Sequence, residues 1–238
     1  MALACIDVRA VYGGFVAVDG VSLSVEAGHI LGVAGPNGAG KTTLFDVLSG
    51  FHPASGGRVE LNGNDITKLP VHRRARLGLA RTFQSPIVPT DLTVGETLEA
   101  ARVAWSPKVD PQHIQRAREL ARFAVSDATR CGGLDTLGRR KLLLTCVLMR
   151  SPSVLLLDEP CSGLTQDEID EMDAIIRRMV EESGLAVIVV EHRLELLRSV
   201  AESVVVMDAG AVIAEGPPAV VFEDPAVRAA YFEAPKAA

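Results

Sequence analysis

Residues 30–43 read Ile30-Leu31-Gly32-Val33-Ala34 and then Gly35-Pro36-Asn37-Gly38-Ala39-Gly40-Lys41-Thr42-Thr43. An apolar run, a glycine-rich loop closing on Lys and Thr, and a helix start follow one another. Gly35, Gly40, Lys41 and Thr42 meet the pattern G-x-x-x-x-G-K-[ST]. Glycines at 35, 38 and 40 open backbone conformations closed to other residues. Successive N–H groups can then turn inward onto a phosphate oxygen. The helix starting near Lys41 adds its unpaired N–H groups and the positive end of its dipole. The pattern assigns Lys41 to the β- and γ-phosphates of a nucleotide and the Thr42 hydroxyl to Mg²⁺. Pro36, Asn37, Ala39 and Thr43 complete the loop as candidate nucleotide contacts.

The 238 residues suffice for one large domain, or a domain carrying an inserted lobe. Apolar residues make up 48 % and aromatics only 4 %, so the core is expected to be Val, Leu, Ile and Ala. A net charge of −6 offers no global basic field for a nucleic-acid partner. Cys5, Cys131, Cys146 and Cys161 contain no C-x-x-C pair, which suggests neither zinc nor a disulfide framework. The expectation is free thiols in a reducing compartment. No signal-peptide pattern precedes the domain, and no apolar run reaches the ~18 residues of a membrane span. The chain is expected to be soluble and to serve a membrane only through a partner.

The first third alternates short strand candidates with turns: residues 4–10, 21–25, 58–61 and 65–67, the last two flanking the hairpin signal Asn62-Gly63. The helix after the phosphate loop is expected over residues 41–49, stopped by Gly50 with Pro53 beyond. Residues 85–150 change character and read as helices at 94–104, 111–125 and 139–150, punctuated by Pro86, Pro89, Pro107 and Pro111. The last third returns to alternation. It has an apolar strand at 154–157, a helix at 168–183 ended by Gly184, and a strand at 186–190. A helix at 194–201 and a hairpin of 203–207 with 211–214 follow. Apolar strands alternating with helices imply an α/β core with a mostly parallel sheet.

Val154-Leu155-Leu156-Leu157-Asp158-Glu159 is a hydrophobic strand ending in two acids. At the carboxyl end of a parallel sheet such acids face the ligand crevice. Asp158 is suited to hold Mg²⁺, directly or through water. Glu159 is suited to orient or deprotonate an attacking water.

The ordered set GPNGAGKTT, RTFQ, LLLDEP and VVVEH resembles the ATP-binding subunit of an ABC transporter, from Val11 to about Phe232. The resemblance implies a P-loop NTPase core (residues 1–84 and 151–238), an antiparallel β subdomain and an inserted helical lobe (about 85–150) in one domain. It implies ATP and Mg²⁺ as cofactors. It also implies three roles: Tyr12 stacking on adenine, Gln84 touching Mg²⁺ and the attacking water, and His192 at the γ-phosphate. The partners implied are integral membrane permease subunits, at the cytoplasmic face of the membrane, which Phe83, Pro86, Ile87, Val88 and Pro89 would approach. The segments Gly78–Gln84 and Leu92–Val94 and the tail Asp224–Tyr231 look like importers of branched-chain amino acids, a subfamily that also serves related small amides and urea.

One motif departs from the family. The signature, usually L-S-G-G-Q, should begin 24 residues before Asp158, where the chain reads Leu134-Asp135-Thr136-Leu137-Gly138. Asp135 stands in the serine's place and Leu137 in that of the second glycine. Sliding by one residue puts Thr136 on the serine and Gly138 on the glycine, at the cost of a deletion. In the family, ATP lies between the P-loop of one subunit and the signature of the other. A carboxylate at 135 would repel the γ-phosphate, and a side chain at 137 would obstruct close backbone approach. Thr165 likewise replaces the usual acidic or amide residue of the segment Ser162-Gly163-Leu164-Thr165. The expectation is an asymmetric heterodimer with a second ATP-binding subunit of intact signature, the alternative being a homodimer with a tolerant signature. A soluble ATPase of the same fold, acting in an assembly complex such as iron–sulfur cluster biogenesis, shares every nucleotide motif. A GTPase is disfavoured because no N-K-x-D string occurs.

Overall fold

A computed structural model describes residues 1–105 and 109–232; Pro107 lies outside them. β1 (Leu3–Tyr12) and β2 (Phe15–Val25) form a long hairpin. They run farther than the two short strands expected. Gly13 and Gly14 both take positive φ (52° and 92°), the conformation of a tight hairpin turn, and carry the pairing out to Tyr12 and Phe15. β3 (Ile30–Ala34) leads through the glycine-rich loop into α1 (Lys41–Ser49), which Gly50 ends. β4 (Gly56–Leu61), β5 (Asn64–Asp65), α2 (Val71–Arg76) and β6 (Leu79–Arg81) follow.

The helical middle contains α3 (Val94–Trp105), α4 (Pro111–Leu120), a 3₁₀ turn at Cys131–Gly133 and α5 (Thr136–Leu148). α4 stops short of residue 125 because Arg122 turns to φ 49°. Phe123 still reaches the core from the loop beyond. α5 begins three residues before the expected start because Asp135 caps it. The remainder is β7 (Val154–Asp158), α6 (Gln166–Ser183), β8 (Ala186–Val190), α7 (Leu194–Val200), β9 (Ser203–Asp208), β10 (Ala211–Gly216), α8 (Pro218–Val221) and α9 (Pro225–Phe232).

Two sheets result. One is antiparallel, in the order β2-β1-β4-β5. The other runs β10-β9-β3-β8-β7-β6, parallel except for the β9–β10 hairpin. Successive side chains of a strand point to opposite faces, and the inner strands feed two cores in this way. Leu155 and Leu157 of β7 join the helices α3–α7. Val154 and Leu156 join α1 and the antiparallel sheet. Strands buried on both faces must be apolar throughout, which explains the runs LLL and AVIVV. The carboxyl ends of β6, β7, β3 and β8 therefore lie along one edge, with the glycine-rich loop on β3.

Candidate active site

The glycine-rich loop is shaped by contacts that only glycine permits. Gly35 has φ 147°, and a β-carbon there would lie 2.2 Å from the Met207 carbonyl oxygen. At Gly40 (φ 97°) it would lie 2.3 Å from the Ala17 carbonyl oxygen. Lys41, only 5 % exposed, folds back so that Nζ donates to Gly35 O (2.7 Å) and Pro36 O (2.9 Å). Burial lowers the Lys41 pKa from its ordinary value, and the nearby Glu159 and Asp158 carboxylates act against that shift. An open cleft of about 330 Å³ lies over the loop, lined by residues 37–43, Phe15, Ala17, Glu159 and His192.

The three catalytic candidates meet. Gln84 Nε2 donates to Glu159 Oε2 at 2.6 Å, and His192 Nε2 lies 2.6 Å from Glu159 Oε1. A carboxylate only accepts, so this contact needs the proton on His192 Nε2 and the amide of Gln84 turned nitrogen-first. The residues arrive from the ends of three neighbouring strands: Gln84 beyond β6, Glu159 beyond β7 and His192 beyond β8. Glu159 has φ 46°, uncommon for a residue with a side chain. It is held by its N–H to Val190 O (2.9 Å) and by Arg140 donating to its carbonyl (3.2 Å).

Asp158 is 5 % exposed and accepts from Arg81 Nη2 at 2.9 Å. Burial raises its pKa, and Arg81 offsets part of that rise. Arg81 also donates through Nη1 to Asp46 Oδ1 (2.6 Å) and Ser49 Oγ (2.9 Å). Its guanidinium carbon lies 5.0 Å from the Phe83 ring centre and 5.7 Å from that of Phe51. Asp158, the Thr42 hydroxyl and the Gln84 amide each offer oxygen of the kind Mg²⁺ takes, but of the three only Thr42 is among the residues lining the cleft over the loop.

Tyr12 is not among the residues lining the cleft. Its ring stacks on His52, with centroids 4.2 Å apart, and Phe15 at the far side of the hairpin turn lines the cleft instead. Asp135 is the N-cap of α5 and accepts from the Gly138 N–H at 2.6 Å. This fixes Asp135, and not Thr136, at the start of the helix. The expected obstruction by Leu137 is corrected: the residue is 7 % exposed, with its side chain in the core. Thr165 caps α6, its N–H and hydroxyl both donating to Glu168 Oε2 (2.8 and 2.9 Å). Of the residues expected near a partner, Phe83 and Ile87 are exposed, whereas Val88 is buried and cannot dock anything.

Several site residues escaped sequence reasoning. Glu191, 2 % exposed, accepts from Cys161 N (2.8 Å) and His192 N (3.2 Å), so one carboxylate ties the loop after β7 to the loop after β8. Burial raises its pKa. A charged residue closing an all-apolar strand was the signal for it. Arg140 donates to Ser162 O at 2.6 Å as well as to Glu159 O, and neither partner is near it in sequence. The four cysteines are free thiols in the structure, and burial pushes the pKa values of Cys5, Cys146 and Cys161 up to about 12.

A glycine-rich Lys-Thr loop on β3, with an acid and a histidine brought to its cleft from the ends of β7 and β8, is the arrangement of a nucleoside-triphosphate hydrolase. The chain belongs to the ABC transporter family, whose profile matches residues 18–162. A second profile, Branched-chain amino acid ATP-binding cassette transporter, matches residues 211–232. The high-affinity branched-chain amino acid transport ATP-binding protein BraF of Pseudomonas aeruginosa is 35 % identical, over 92 % of this chain and 93 % of that protein. The corresponding protein LivG of Escherichia coli (strain K12) is 30 % identical over the same shares. An ATP-binding cassette of an ABC transporter, crystallised in its ADP conformation, superposes with a TM-score of 0.88 at 27 % identity, covering 97 % of this chain and 98 % of that one. The chain is an ABC ATPase, the ATP-binding subunit of a transporter, from a family that hydrolyses ATP to power transport. No helix among the described residues is long and apolar enough to cross a membrane.

Proposed function

We propose that this subunit powers an importer of branched-chain amino acids or a related small polar solute. In this reading it docks on integral membrane permease subunits at the cytoplasmic face and pairs with a second ATP-binding subunit of intact signature. The cargo reading is supported by the match at residues 211–232 and by the relatives' names. The docking surface is the exposed pair Phe51 and Phe83, whose rings meet edge to face at 5.4 Å, continued by Ile87. Mg²⁺ would be held by Thr42, Asp158 and Gln84, where it neutralises phosphate charge.

The observation that carries the asymmetry is the Asp135 cap. Its carboxylate already occupies the N-terminus of α5 and takes the Gly138 N–H. A γ-phosphate approaching that end from a partner's P-loop meets a negative charge where the family offers a serine. This chain's own P-loop, Glu159 and His192 carry no such defect. Purified alone, the wild-type chain is expected to turn over ATP weakly, and Asp135→Ser to raise that rate about tenfold or more, since one donor to a developing anion is worth ~10²-fold. Robust turnover by the wild-type chain, rising cooperatively with its own concentration, would overturn the heterodimer. Gentle detergent extraction with this chain tagged tests the partners. A permease with a second, intact ATP-binding chain supports the proposal, and soluble scaffold proteins alone refute it.

The adenine platform in this reading is Phe15. Base–aromatic stacking is worth ~1–3 kcal/mol, so Phe15→Ala should weaken ADP binding about tenfold, while Tyr12→Ala leaves it within about twofold. A fluorescent-ADP titration checks this, and the reverse ranking returns the platform to Tyr12.

A further inference from the structure

The phosphate loop is touched by a residue from the opposite end of the chain. The Gly35 N–H donates to the Tyr231 hydroxyl oxygen at 2.6 Å, across 196 residues of sequence. Tyr231 sits on α9, and α9 is firmly seated. Asp224 caps it by accepting from Ala226 N at 2.7 Å, Pro225 occupies its first turn, and Val227 is 1 % exposed in the core. The Tyr231 ring packs on the same core. Burial raises the pKa of the phenol, so it stays protonated and neutral near neutral pH.

Gly35 is where this contact matters most. The Met207 carbonyl leaves no room for a β-carbon there, so glycine is obligatory. Glycine is also the residue whose backbone is least restrained. The peptide between Ala34 and Gly35 is the point at which the loop leaves β3. Its neighbour, the Gly35 carbonyl, takes the Lys41 ammonium at 2.7 Å. A loop that must present several N–H groups at fixed positions loses affinity if its first peptide wanders, because that order must be restored on binding. A tyrosine hydroxyl held by a packed helix removes the freedom from outside the loop.

We propose that α9 is a brace for the phosphate-binding loop and that Tyr231 is its positioning residue, fixing the Ala34–Gly35 peptide in the conformation that receives the nucleotide's phosphates. The proposal rests on the reading of the cleft as the nucleotide site. It gives the C-terminal segment a task at that site, distinct from any contact with a membrane partner.

The test compares two variants of the full chain by ADP titration and by melting without nucleotide. Tyr231→Phe keeps the ring and its packing but leaves the Gly35 N–H without its acceptor. It is expected to weaken ADP binding about five- to tenfold. Leu98→Ala, in the buried face of α3, destabilises the fold without touching α9 or the loop. It is expected to lower the melting temperature at least as much as Tyr231→Phe while holding ADP affinity within about twofold. Hydrogen exchange at the Gly35 amide should quicken in Tyr231→Phe and not in Leu98→Ala. ADP affinity of Tyr231→Phe within twofold of wild type would overturn the proposal, as would equal weakening by Leu98→Ala. A wild-type chain that bound no ADP would instead refute the nucleotide site itself.

Discussion

Glu159→Gln is expected to lower ATP turnover by about 10²–10⁴-fold, the range for removing a positioned general base, while ATP affinity stays within about threefold. The carboxylate is the meeting point of two donors, Gln84 Nε2 and His192 Nε2, each at 2.6 Å. A glutamine there has one acceptor oxygen and one NH₂ group. It can satisfy one of the two donors but must point its own N–H groups at the other. The proton-accepting group is lost, and the chain from β6 through β7 to β8 is broken in the middle. In the proposed reading the phosphates rest on residues 37–43, so binding is spared, and the backbone at 159 is fixed independently by Val190 O and Arg140. Phosphate release under saturating ATP measures the rate, and equilibrium titration with ATP measures the affinity. In the heterodimer reading, the rate is measured with the second ATP-binding subunit present. Turnover within tenfold of wild type would show that another group orients the water.

The parts of this site that were legible in the sequence are those whose chemistry is written locally. The phosphate loop needs glycines at set spacings before a Lys, and the acid strand needs an apolar run buried on both faces before its carboxylates. Both are contiguous strings, and the parallel sheet that aligns them follows from their apolar character. Gln84 and His192 were found only through resemblance, because a glutamine after RTF or a histidine after a strand says little by itself. What escaped was set by distance. Glu191, Arg140 and Tyr231 act through backbone groups far along the chain, at separations of 30, 22 and 196 residues for Cys161, Ser162 and Gly35. The extent of the first hairpin was missed because Gly13-Gly14 lies between strands whose outer residues are exposed and lack a clean alternation. Phe15 and not Tyr12 lines the cleft, and no local pattern separates them: the two are direct cross-strand partners on one face of the sheet, and it is β2, with Phe15 and Ala17, that lies beside the loop.

Removing Arg81 should be among the most damaging single changes to stability, with Arg81→Leu costing about 3–5 kcal/mol, the range for breaking a buried pair from one side. Its side chain is 5 % exposed and that of Asp158 is 7 %. One guanidinium fork answers Asp158, Asp46 and the Ser49 hydroxyl at once. Leucine would leave Asp158 buried without that countercharge, and burial already raises its pKa. Asp46, at 32 % exposure, can recover part of its solvation, so most of the penalty falls on Asp158. Arg81→Lys should recover only part of the loss, because an ammonium cannot span both acids as the planar fork does. The diagnostic variant is the double change Arg81→Leu with Asp158→Asn. If the penalty is an uncompensated charge, the double variant should be more stable than Arg81→Leu alone by more than ~1 kcal/mol, a coupling well above the error of additivity. Urea unfolding midpoints of the four proteins in the cycle decide it. A double variant as unstable as the sum of its parts would mean that Arg81 acts through packing on Phe45, Phe51 and Phe83. The link it makes between Asp158 and the exposed aromatic pair would then be one of shape and not of charge.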